Sequence, residues 1–181
     1  MTKFAPAAAL VLALALLAGC TTAPTSSTPA TGSSSAASAT PAQAAADGTA
    51  GHPFAFGQTW QPSGKMKISV GAPTPYTPSS SAVALGGKTP RAVAVSVSVT
   101  NVPDGPPVPG MVITVQATAG DQQVQEIEDS AQNVGSPTAS ILPGKTLTWK
   151  VAFGAPAGAA DFTVVVGALG GGTDVYFTGK I

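Results

Sequence analysis

The chain has 181 residues, of which 44% are hydrophobic and only 9% charged, and its 8 Lys+Arg balance its 8 Asp+Glu to a formal net charge of zero. That leaves no basic footprint for nucleic acid and no polybasic patch for anionic lipid, so no nucleic-acid partner is expected. One cysteine, Cys20, and one histidine, His52, exclude a disulfide framework and a His/Cys zinc centre.

The chain opens with a cation, Lys3, and an apolar run over residues 7–17 rich in Ala, Leu and Val. Two small residues and a cysteine follow, giving Leu17-Ala18-Gly19-Cys20. Charge, apolar length, small residues and cysteine fall in the order of an export signal. An uncleaved spanning helix needs about 20 apolar residues, more than this run supplies. An ordinary secretory signal with an incidental cysteine is the alternative. The four residues resemble the lipobox of bacterial lipoproteins at every position. The resemblance implies that residues 1–19 are a signal peptide, cut before Cys20. It also implies a diacylglycerol on the Cys20 thiol, with palmitate-type acyl chains, and a membrane-anchored, extracytoplasmic location. Cys20 would then carry lipid, leaving the mature chain without a free thiol.

Residues 20–52 are almost entirely Thr, Ser, Ala, Pro and Gly. Such a segment buries too little apolar area to offset its ordering entropy, and it reads as a disordered linker. About 31 flexible residues span on the order of 30 Å, enough to lift a domain off a lipid surface. Ser and Thr beside Pro also suit O-glycosylation, although a plain spacer has the same composition. The remaining stretch, 53–181, has the length of a single domain.

Within it the hydrophobic pattern has a period of two, the mark of half-buried strands. Phe54 to Trp60 allows a short first strand. Met66, Ile68 and Val70 alternate with lysines and a serine. Val93, Val95, Val97 and Val99 then alternate with Ala92, Ala94, Ser96, Ser98 and Thr100, and β-branched valines suit a pleated surface. Met111, Ile113 and Val115 are expected to point inward. Val124 and Ile127 fall on opposite faces, which a bulge or a short edge strand would explain. Leu147, Trp149, Val151 and Phe153 restore the alternation, followed by Phe162, Val164 and Val166, then Val175 and Phe177. Gly120-Asp121 and Pro143-Gly144 mark turns. About seven or eight short strands with this spacing predict an all-β antiparallel sandwich or barrel.

The order Val-Ser-Val-Ser-Val-Thr-Asn (95–101), a Pro-rich turn, an apolar strand, Leu142-Pro143-Gly144 and Thr-Leu-Thr-Trp-Lys-Val-Ala-Phe (146–153) resembles the telokin-like, immunoglobulin-fold domains of bacterial lipoproteins and secreted antigens. The resemblance covers most of 57–181. It implies an immunoglobulin-like β-sandwich and, for most members, no known activity. Residues 72–90 depart from that pattern and are expected to form a long, unpatterned loop.

Chemistry-bearing residues are sparse. His52 sits at the linker boundary, where a flexible chain holds no catalytic geometry. Asp121, Glu126, Glu128 and Asp129 gather half of the acids. Clustered carboxylates are one way to bind Ca²⁺, but their spacing fits no EF-hand, and a solvated edge strand is expected instead. No metal, no cofactor and no catalytic residue is expected. Tyr76, in the loop, and Trp60 are the candidate partner contacts, since exposed aromatics mark interfaces. The expected function is a non-catalytic binding or scaffold module on the cell surface, not an enzyme, with the membrane held through Cys20 and a protein or envelope partner. The alternative is a carrier of a small apolar or lipid ligand between the sheets.

Overall fold

The computed structural model describes residues 45–84, 91–168 and 174–181, all within one compact unit spanning 42–181. In chain order the strands are β1 (Phe54–Ala55), β2 (Thr59–Trp60), β3 (Lys67–Val70), β4 (Thr74–Tyr76), β5 (Val83–Ala84), β6 (Arg91–Thr100) and β7 (Val108–Pro109). A 3-10 turn over Gly110–Val112 leads into β8 (Ile113–Ala119), β9 (Gln122–Gln123) and β10 (Glu126–Glu128). A second turn, Ser130–Gln132, precedes β11 (Ser140–Ile141), β12 (Thr146–Ala155), β13 (Asp161–Ala168) and β14 (Val175–Lys180).

One sheet has the order β1-β14-β13-β8-β9, and the other β2-β3-β6-β12-β10-β5 with β4 also paired to β6. Strands β7 and β11 make a separate two-stranded ribbon. Every pair but the parallel β1–β14 is antiparallel among the described residues. The architecture is the expected all-β antiparallel sandwich. Six long strands, β3, β6, β8, β12, β13 and β14, carry it, and the other eight are two- or three-residue pieces.

Period-two sequence becomes a core because the two facing sheets bury the same parity of residue. Strands β6 and β12 pair along ten residues, setting Val97 against Trp149, Val95 against Val151 and Val93 against Phe153. Their buried faces meet Phe162, Val164, Val166, Val175 and Phe177 from the other sheet in one cluster. Phe153 and Phe162 pack edge-on across the gap, with ring centroids 6.1 Å apart. Each such side chain contributes about 1.5–3 kcal/mol by leaving water. The opposite face of the long sheet is polar where it meets solvent. There the Ser98 and Thr148 hydroxyls lie 2.7 Å apart and those of Thr100 and Thr146 2.8 Å.

Four local expectations change. Met111 is exposed rather than inward, because it sits in the turn ahead of β8, where the strand alternation has not begun. Val124 and Ile127 face apart because the chain crosses between sheets there: β9 pairs with β8, and β10 with β12. No bulge is needed. Ala92, Ala94 and Ala152, on the face expected to be wet, are buried in a second small cluster with Ile127 and Val134. Finally, the folded region begins before Pro53. The Tyr176 amide donates to the Gly48 carbonyl at 2.8 Å, and the amides of Asp47 and Gly48 both reach the His52 carbonyl at 3.0 Å.

The Thr100-Asn101 and Leu142-Pro143-Gly144 motifs share one purpose. Asn101 is buried, and its side-chain amide donates to the carbonyls of Pro106 at 2.8 Å and Ile141 at 3.0 Å. The Gly144 amide donates to the Val102 carbonyl at 3.1 Å from a left-handed backbone (φ +67°) that glycine adopts without strain. Together they tie the Pro-rich turn after β6 to the turn before β12.

Candidate functional site: a flap, its latch and a cleft between the sheets

Residues 72–84 form a flap over the buried alanines. Alanine gives the flap a shallow floor, so the chain lies close against β6 and β12. Strand β4 adds to β6 with Tyr76 opposite Ala92, and β5 adds to β10 with Ala84 opposite Ile127. Tyr76, Ala82 and Ala84 pack on the second cluster. The expected loop is therefore two short strands as far as Ala84, and residues 85–90 lie outside the described residues.

One carboxylate pins this flap. Asp129 is fully buried at the end of β10. Its Oδ2 accepts from the Tyr76 hydroxyl and the Ser79 amide, each at 2.7 Å, and from Gln132 Nε2 at 3.1 Å. Its Oδ1 accepts from the Ser79 hydroxyl at 2.7 Å. Gln132 also reaches the Thr77 carbonyl at 3.0 Å. The Ser79 hydroxyl and amide, more than the other donors, hold the Asp129 carboxyl down at about 2. Burial, then the hydrogen bond to Asp129 and its charge, push the Tyr76 phenol up to about 12. A carboxylate at 2 is a poor base and a phenol at 12 a poor acid at neutral pH. Ser79 thus faces no group poised to take its proton, and the arrangement acts as a latch.

A cleft of about 450 Å³ opens beside the flap. Its walls come from both sheets: Pro73, Pro75 and Tyr76 on the flap, Val93 on β6, and Ile181 after β14. Arg91, the only arginine of the chain, and Lys180 add the charge. Lys180 is ion-paired with Asp161 at 2.5 Å. Arg91 makes no ion pair among the described residues, and its Nε is buried with no acceptor. A second cleft, about 730 Å³, lies at one end of the sandwich beside Lys65, Lys67, Asn101 and Asp104. The amide of Asn101 is already committed to two carbonyls there.

The expected site residues separate. Cys20, Leu17, Ala18 and Gly19 lie outside the described residues. Tyr76 is not an exposed loop contact: it is half-buried, with its hydroxyl committed to Asp129, because the loop is stitched to the sheet. Trp60 is half-buried on β2 opposite Ile68 and packs on the main core. His52 is exposed in the 47–52 turn. The acids divide: Asp121 and Glu128 are exposed as expected, but the strand carrying Glu126 and Glu128 is not an edge. Asp129 is buried, β10 lies between β12 and β5, and burial, then the neighbouring Glu128, raise the Glu126 carboxyl. No group of three or more His, Cys, Asp or Glu able to hold a metal ion occurs among the described residues. Sequence reasoning missed Ser79, Gln132 and Arg91. The latch partners stand about fifty residues apart in the chain, a separation that no local pattern reveals.

No protein-family model matches the chain, and no curated protein matches it. Among solved structures it is similar to the yjhA protein from Bacillus subtilis, with a TM-score of 0.51 at 14% identity over 68% of this chain and 97% of that one. A "putative lipoprotein (ycdA)" from Bacillus subtilis subsp. subtilis str. 168 aligns with a TM-score of 0.48 at 14% identity, over 63% of this chain and 36% of that one. At such identity the likeness to yjhA bears on the fold alone.

Proposed function

We propose that the chain is a lipid-anchored, extracytoplasmic protein whose sandwich serves as a non-catalytic binding or scaffold module. The anchor rests on Leu17-Ala18-Gly19-Cys20 and the apolar run before it. The non-catalytic reading rests on the latch. The most perturbed acid and phenol of the domain are moved away from neutrality, the reverse of what general acid–base chemistry needs, and both are spent on holding the flap. Labelled palmitate fed to growing cells tests the anchor. The wild type takes up label and partitions into detergent, whereas Cys20→Ser does neither, because a hydroxyl is a far weaker nucleophile than a thiol. Label retained by Cys20→Ser refutes the anchor. Crosslinking in intact cells, followed by purification of the adduct, tests the binding role; a chain that stays uncrosslinked at the membrane refutes it.

A second reading, carriage of a small apolar ligand, is favoured by one observation, the cleft that both sheets line. Phe153, Phe162, Phe177 and the valines fill the space over the valine face. A ligand would therefore sit at the rim of the sandwich rather than deep between the sheets.

A further inference from the structure

We infer that the cleft beside the flap binds a small amphiphilic carboxylate, its apolar body against Pro73, Pro75, Val93 and Ile181 and its carboxylate on Arg91. This inference rests on the ligand-carrying reading and is independent of the anchor.

The argument starts from charge. All eight acids of the chain lie among the described residues, and none of them pairs with Arg91. Lys180, the other cation lining the cleft among the described residues, is ion-paired with Asp161 at the surface. Among the described residues the Arg91 guanidinium therefore has no ion-pair partner. The Arg91 Nε is withdrawn from water, and so from any ligand, but its two terminal nitrogens are not, and a carboxylate is the group that a guanidinium without an ion pair receives on them. Arg91 is held for this task. It is the first residue of β6, fixed by the ladder to Ala155 on one side and followed by Ala92, which pairs with Tyr76 on the other.

The body of the ligand follows from the walls. Apart from Arg91, Lys180 and Thr74 the lining is proline, alanine, valine, isoleucine and a tyrosine ring. Tyr76 offers no free hydroxyl, since its proton is given to Asp129. The walls thus reward apolar surface and supply one strong polar anchor, the usual make-up of a small-molecule site. A volume of about 450 Å³ admits a medium-length alkyl chain or one or two rings, but is too small for a polymer to be enclosed. The latch gives the cleft its shape: Asp129 holds Tyr76 and Ser79, and Tyr76 sets the height of the flap wall.

The test uses the mature chain carrying Cys20→Ser, titrated with three probes while amide chemical shifts are followed by NMR. Octanoate has head and body, 1-octanol the body alone, and acetate the head alone. Octanoate is expected to shift the amides of Ala92, Val93 and Ile181 saturably. Octanol should bind at least tenfold more weakly at the same amides, and acetate should not saturate. Arg91→Gln should lower octanoate affinity about tenfold to a hundredfold, the worth of a charge-assisted pair, and leave octanol unchanged. The spectrum of Arg91→Gln without ligand, superposing on that of the parent away from residue 91, verifies the fold. Equal binding of octanoate and octanol, an unaltered octanoate affinity in Arg91→Gln, a larger loss in Lys180→Gln than in Arg91→Gln, shifts mapping outside the cleft, or no saturation by octanoate each overturn the proposal. None of these results bears on palmitate labelling of Cys20 or on crosslinking in cells, so the anchored scaffold would stand.

Discussion

Val164 and Val165 are neighbours on β13 with opposite fates, and the same change at each weighs one face of the sheet against the other. Val164 is fully buried, opposite Phe177 and Ala117, while Val165 is half-buried on the outer face, opposite Tyr176 and Gln116. Val164→Ala removes two buried methyl carbons, worth about 0.8 kcal/mol each, and the cavity adds about 1 kcal/mol more, for a total of about 2–3 kcal/mol. Val165→Ala removes the same atoms from a face that water already reaches, for about 0.5–1 kcal/mol. Both lose the same β-branched preference for a strand, so the difference of about 1.5–2 kcal/mol isolates burial. Urea unfolding followed by the fluorescence of Trp60 and Trp149 reads both values, with the denaturant slope unchanged. In a thermal melt the pair separates by roughly 5–10 °C. Equal losses, or a larger loss at Val165, would refute the assignment of Phe162, Val164 and Val166 to the core.

The latch makes two further predictions and the turn motif one. Asp129→Ala leaves the donors of Tyr76, Ser79 and Gln132 without their acceptor, so amide exchange over residues 77–84 should quicken while Val97 and Val99 stay protected; unchanged exchange in the flap contradicts the latch. The folded Asp129 carboxyl lies below its unfolded value, so its contribution is present above about pH 4 and lost as pH falls toward 2. The Tyr76 phenol lies above its unfolded value, so its contribution is present below about pH 10 and lost as pH rises toward 12. Tyr76→Phe should remove the part of the alkaline loss that Tyr76 causes, and a pH-dependent melt of the two proteins that superposes above pH 10 contradicts this. Asn101→Asp should destabilise more than Asn101→Ala in urea, because a carboxylate would face the Pro106 and Ile141 carbonyls, acceptor against acceptor; the reverse order speaks against the donor role of Asn101.

The faces of the long strands were legible because their burial is one-sided. The alternation of Val93 to Val99 with Ser96 and Ser98 has a single stable solution, and a slip of one residue would bury the serines. The same logic failed where a second layer covers the outer face. Ala92, Ala94 and Ala152 look like neutral positions on a wet surface, and only the flap makes them interior. Alanine carries little hydrophobic signal of its own, so its burial is decided by what lies on top of it. Met111 failed for a different reason: the alternation was carried one step too far into a turn.

The candidate site was illegible because each of its parts has an ordinary local reading. Asp129 ends an acidic run that looks like a charged edge, yet it is the acid of the run that the fold buries completely, and four donors from two chain segments make that tolerable. Ser79 lies in a Ser-rich stretch typical of a spacer, but it supplies both an amide and a hydroxyl to one carboxylate. Arg91 opens the clearest strand of the chain, and its charge there reads as a strand end. Its meaning depends on a comparison that no window of sequence contains. No acid of the chain pairs with Arg91, and Lys180, which shares the cleft, holds Asp161 instead. In a chain with so few charges, an arginine without a counterion is a demand that the fold leaves open, and that demand, more than the volume of the cleft, makes the site chemically selective.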